Sequence, residues 1–80
     1  MNYDKFVELM TEKPEGYPVF ILDGKKVVER TMTCFKLTHG STNDFSGYMA
    51  EIYVRGRNRT GQWVEPKHVF LSKEELLNSL

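Results

Sequence analysis

The residues able to do chemistry in this chain are few and dispersed. There is one cysteine, Cys34, and there are two histidines, His39 and His68. A nucleophilic thiol needs a base within hydrogen-bonding reach and surroundings that favour the thiolate. Cys34 instead falls mid-strand among apolar neighbours, where a cysteine reads as inert packing. His68 reads as a partly buried strand residue and His39 as part of a loop. The histidines and the cysteine lack the spacing of zinc ligands. There is also no glycine-rich phosphate loop leading into a helix, and no serine in a nucleophile elbow. Glu29 and Glu51 could face each other across neighbouring strands, but pairing with Lys25, Arg30 or Arg55 on a solvated face is the simpler reading of these carboxylates. The sequence therefore predicts no enzyme, no metal and no cofactor.

A binding surface has better support. Between residues 53 and 68, Arg55, Arg57, Arg59 and Lys67 stand against the single acid Glu65, with Tyr53 and Trp63 among them. Guanidinium forks bond phosphates and carboxylates bidentately, and flat rings accept stacked bases. Trp, Tyr and Arg are also the usual anchors of protein interfaces. Tyr53, Arg55, Arg57, Arg59, Trp63 and Lys67 are thus the candidate partner-binding residues. A protein partner is the leading expectation and weak nucleic-acid binding through the Arg55–Arg59 hairpin is the alternative. A solvated arginine hairpin with Trp63 in the core would explain the same residues. A small ligand would need a cleft shared within an oligomer, because so short a chain encloses little interior of its own.

The whole-chain balance gives no steering toward a polyanion. Eleven basic residues cancel eleven acidic ones in a chain of 80, so any electrostatic preference must be local. The longest apolar run, Val19 to Leu22, is far shorter than the about 20 residues of a membrane span. With a lone cysteine and no secretory pattern, the sequence reads as a cytoplasmic protein without a membrane partner.

The elements that must position the basic-aromatic cluster follow from periodicity. Tyr3, Phe6, Val7 and Met10 lie on one helical stripe, with Asn2 as N-cap and Pro14 as the stop. Tyr17 to Leu22 is a strand beginning at Pro18, and Asp23-Gly24 signals a tight hairpin. The next strand runs from Lys25 to about Thr38. Val28, Arg30 and Met32 share one parity, and Phe35 and Leu37 the other, so a bend or bulge is required near Thr33 and Cys34. His39 to Gly47 reads as an extended loop, in which Phe45 either tucks back or awaits a partner. Tyr48 to Gly56 forms a third strand with Ala50, Ile52 and Val54 inward and Glu51, Tyr53 and Arg55 outward. Gln62 to Val64 gives a fourth strand and His68 to Leu71 a fifth. Ser72 then caps a short last helix, three residues before Glu75.

A single domain accommodates all of this: a helical extension over 1–16, strands over 17–71 and a C-terminal helix over 72–80. The fold class is mainly β, with five short strands suited to a small closed or partly open barrel.

From Phe20 to Leu80 the chain resembles the SH3-like barrels of short bacterial and phage proteins. The resemblance is carried by Asp23-Gly24-Lys25-Lys26-Val27-Val28, the bent second strand, Tyr53-Val54-Arg55 and Val69-Phe70-Leu71-Ser72-Lys73-Glu74-Glu75. It implies a five-stranded barrel with helical extensions and no particular activity. Combined with the missing catalytic constellation, it gives a non-enzymatic interaction module, of the kind a phage or mobile element carries as an accessory. Exposed sheet edges make a homodimer a further expectation.

Overall fold

The computed structural model describes residues 1–41, 46–56 and 60–80, without the side chains of Ser41 and Ser46. The elements are α1 (Tyr3–Glu12), β1 (Tyr17–Asp23), β2 (Lys26–Ser41), β3 (Ser46–Arg55), β4 (Gly61–Val64), a 3-10 turn at Pro66–His68 and α2 (Lys73–Asn78). The four strands form one antiparallel sheet in the order β1-β2-β3-β4.

Local chemistry explains the element ends. The Asn2 side chain accepts the Lys5 N–H at 2.8 Å and starts α1, and Gly24 supplies the positive φ, 63°, of the β1–β2 hairpin. In α2 the Ser72 hydroxyl accepts the Glu75 N–H at 3.1 Å, as the sequence predicts.

The expected bulge is present. The β2–β3 register shifts between Met32 and Cys34, so Met32 and Phe35 lie on the same face. Met32, Val19, Ile21, Ile52 and Val54 are fully or almost fully buried there, and Leu9 of α1 closes over them. The helix docks through Phe6, Leu9 and Met10, whereas Tyr3 and Val7 of the predicted stripe remain exposed. Leu9 lies three residues after Phe6, and it moves the buried stripe around the helix.

Three expectations need correction. First, the sheet has four strands and is open; it is neither five-stranded nor a closed barrel. Pro66 lacks an N–H and fixes its own φ, so the chain leaves β4 in a 3-10 turn, with His68 N–H on Glu65 C=O and Val69 N–H on Pro66 C=O. His68 is consequently exposed in that turn, not part of a strand. Of the expected fifth strand only Phe70 pairs, bonding Phe20 in both directions at 2.7 and 2.9 Å. The gap between β1 and β4 is an open groove of about 620 Å³, whose lining includes Ile21, Val64, Phe70 and Leu76 together with the polar Gln62 and Ser79.

Second, the β2–β3 hairpin extends past the expected loop. The ladder continues through His39↔Tyr48 and Gly40↔Gly47 to Ser41↔Ser46. Polar composition had marked these residues as a loop, but an antiparallel ladder needs only backbone groups. Phe45 lies outside the described residues.

Third, Cys34 is exposed. The bulge reverses parity at this point and turns its side chain to the outer face, opposite Tyr53.

Candidate functional site

The register assembles a compact patch on the outer face of the sheet. Tyr53 of β3 stands opposite Trp63 of β4, with ring centroids 5.2 Å apart at an interplanar angle of 59°. Such pairs contribute about 0.5–1.5 kcal/mol beyond their buried area. The Tyr53 ring reaches diagonally across Gly61, where any Cβ would collide with it. Gly61 is therefore the residue that lets the Tyr53 ring approach the β4 backbone next to Trp63.

A residue that the sequence reading did not select completes the patch. Lys36 of β2 places its ammonium 4.3 Å from the centroid of the Trp63 ring and 3.5 Å from a Glu51 carboxylate oxygen. These groups are partly exposed, so the cation–π contact contributes about 0.5–1 kcal/mol and the ion pair about 0–1 kcal/mol. The Glu51–Lys36–Trp63–Tyr53 chain fixes one face of the indole while Trp63 remains 42% exposed. Trp63 is thus a surface residue, not part of the core.

Of the predicted binding residues, the structure brings together Tyr53, Trp63 and Arg55. Arg55 follows Tyr53 on the same face, opposite Gly61 and Thr31, and is exposed. Lys67 lies apart: it pairs with Glu65 at 3.3 Å and borders two grooves that neither aromatic ring lines. Arg57 and Arg59 lie outside the described residues.

The groups considered for catalysis are not convergent. Cys34 faces Tyr53, His39 stacks edge-on against Tyr48 at 5.0 Å, and His68 is in the 3-10 turn. Glu29 is opposite Phe20 and Glu51 opposite Lys36, so the two carboxylates do not form a pair. Among the described residues no three His, Cys, Asp or Glu side chains cluster as metal ligands. Nor is any described helix long and apolar enough to cross a membrane.

These features define a small, mostly β domain with an aromatic–cationic patch on its open sheet face. Comparison with family models, curated proteins and solved structures finds no match to the chain.

Proposed function

We propose that the chain is a non-enzymatic interaction module that engages a protein partner through the outer face of β3 and β4. Trp63 is the anchor, Tyr53 lies beside it, and Lys36, Glu51 and Arg55 form the polar rim. The observation that carries this reading is Trp63 itself, a large ring held by Tyr53 and Lys36 yet 42% exposed. A ring already fixed in place loses little conformational freedom on binding, and interface hot spots are enriched in such residues.

The charges favour protein over nucleic acid. Lys36 and Arg55 share the face with Glu51, whose carboxylate would oppose a phosphate backbone, and the chain as a whole is neutral. Polyanion binding draws its affinity from several unopposed cations. Arg57 and Arg59 extend the rim in this reading by their place in the sequence alone.

The test is affinity capture from cells expressing the chain, comparing wild type with Trp63→Ala and Arg55→Ala. A specific partner should lose about 2 kcal/mol or more of affinity with Trp63→Ala, and less with Arg55→Ala. Equal recovery by all three forms would reject the surface. Salt-sensitive binding of a short oligonucleotide, abolished by Trp63→Ala, would transfer the same surface to nucleic acid.

A further inference from the structure

The edges of the sheet are treated differently. On the outer edge of β1, Pro18 has no N–H to offer and Phe20 is already bonded to Phe70. The β4 edge is four residues long. The edge of β2 beyond the bulge has neither protection. β1 pairs with β2 only as far as Met32, while β2 continues to Ser41.

Ladder alternation identifies the unpaired groups. Phe20 directs its N–H and C=O to Phe70, and Gly56 donates to Thr60. It follows that Tyr17, Val19 and Ile21 bond β2, and that Arg55 and Tyr53 bond β2 at Thr31 and Cys34. After the bulge, Cys34, Lys36 and Thr38 face β3, whereas Phe35 and, farther out, Leu37 and His39 point their N–H and C=O away from it. Among the described residues, none of these three makes a backbone bond outside the β2–β3 ladder. The same stretch exposes large apolar side chains, Leu37 at 60% and Tyr48 at 68%. A two-stranded ribbon of this kind is marginal in water without further strands.

We propose that this edge is a homodimer interface in which β2 of one copy pairs antiparallel with β2 of a second copy about a two-fold axis at Thr38. What the edge lacks is a strand, and its own sequence supplies a matching one. Of the outward-facing residues, Leu37 and His39 flank Thr38 symmetrically, so Leu37 of each copy exchanges both backbone bonds with His39 of the other. Thr38 then faces its own symmetry mate, a favourable cross-strand pair, and Lys36 faces Gly40. No like charges meet, and a neutral chain adds no net repulsion. The two ribbons become one four-stranded ribbon with their Leu37 side chains on a common face, an isologous arrangement.

The experiment is sedimentation equilibrium on the full chain over a range of concentrations, with three variants. Wild type should approach twice the 9.4 kDa chain mass with a micromolar midpoint, as befits an interface at the low end of the size range. Thr38 is exposed, so Thr38→Lys should leave far-UV circular dichroism unchanged while weakening the dimer about tenfold or more, by setting like charges opposite each other at the axis. Leu22→Lys, at an exposed apolar residue of β1, should leave the dimer intact. Thr38→Cys in a Cys34→Ala background should oxidise to a covalent dimer, since directly opposed residues of a non-hydrogen-bonded pair lie within disulfide range. A wild-type monomer up to about 500 μM would overturn the proposal, because a micromolar midpoint leaves the chain mostly dimeric at that concentration. So would a dimer that Leu22→Lys disrupts and Thr38→Lys does not, or a Thr38→Cys chain that stays unlinked under oxidation.

Discussion

The same two strands live in two environments. At its base, β2 is flanked by β1 on one side and β3 on the other, and α1 closes over the inner face. Met32, Ile52 and Val54 are completely buried there. In the arm beyond Phe35, whose ring still packs against Tyr3 and Phe6 of α1, β2 has only β3 as a neighbour, and Leu37, Tyr48 and Met49 are more than half exposed. Backbone pairing is continuous through both regions, so the ladder alone does not decide where stability resides. Side-chain burial does, and the arm has little of it.

Substitutions should separate the regions sharply. The largest effect is expected at the base. Met32→Ala should cost about 2–5 kcal/mol, a large share of the roughly 4–12 kcal/mol expected at 0.05–0.15 per residue for this length, read as a fall in the urea midpoint. Gly61→Val comes next, because its side chain must displace the Tyr53 ring. A loss of about 1–3 kcal/mol should be accompanied by a change in the near-ultraviolet signal of Trp63. Ser72→Ala removes the cap of α2, whose Leu76 is buried, and should cost about 1 kcal/mol by thermal unfolding. In the arm, Tyr48→Ser should change the stability of the dilute monomer by no more than about 0.5 kcal/mol. A loss at Tyr48 matching that at Met32 would erase the distinction between base and arm.

Much of the base was legible in the sequence. The parity change between Met32 and Phe35 demanded a bulge, and the register shift occurs there. Ala50, Ile52 and Val54 alternated cleanly, and the last two are fully buried. The N-caps Asn2 and Ser72 followed from residue type and spacing. The arm was legible only in part: the second strand reads as far as Thr38 and the third from Tyr48, but His39 and Gly40 have loop-like composition while their pairing is made by the backbone. Lys36 falls within the expected second strand, but its place beside Trp63 depends on the β2–β3 register, which a nine-residue polar stretch read as a loop cannot fix. Cys34 was misplaced for a related reason, since the bulge was located but its effect on the next side chain was not followed through. Phe70 pairs with Phe20 by a single bridge, too little to distinguish a strand from an extended link by composition. Within the binding patch, Tyr53, Trp63 and Arg55 could be read as one strand face and its opposite partner, whereas Lys67 was drawn in by closeness in sequence alone.

The most direct test of an unprotected arm on a protected base is residue-resolved amide hydrogen exchange at low and high protein concentration. Val19, Ile52 and Val54 should be protected at both, and the amides of Leu37 and His39 should exchange freely when dilute and slow as the concentration rises. Strong protection of Leu37 and His39 in dilute solution, or rates there that do not change with concentration, would contradict the account.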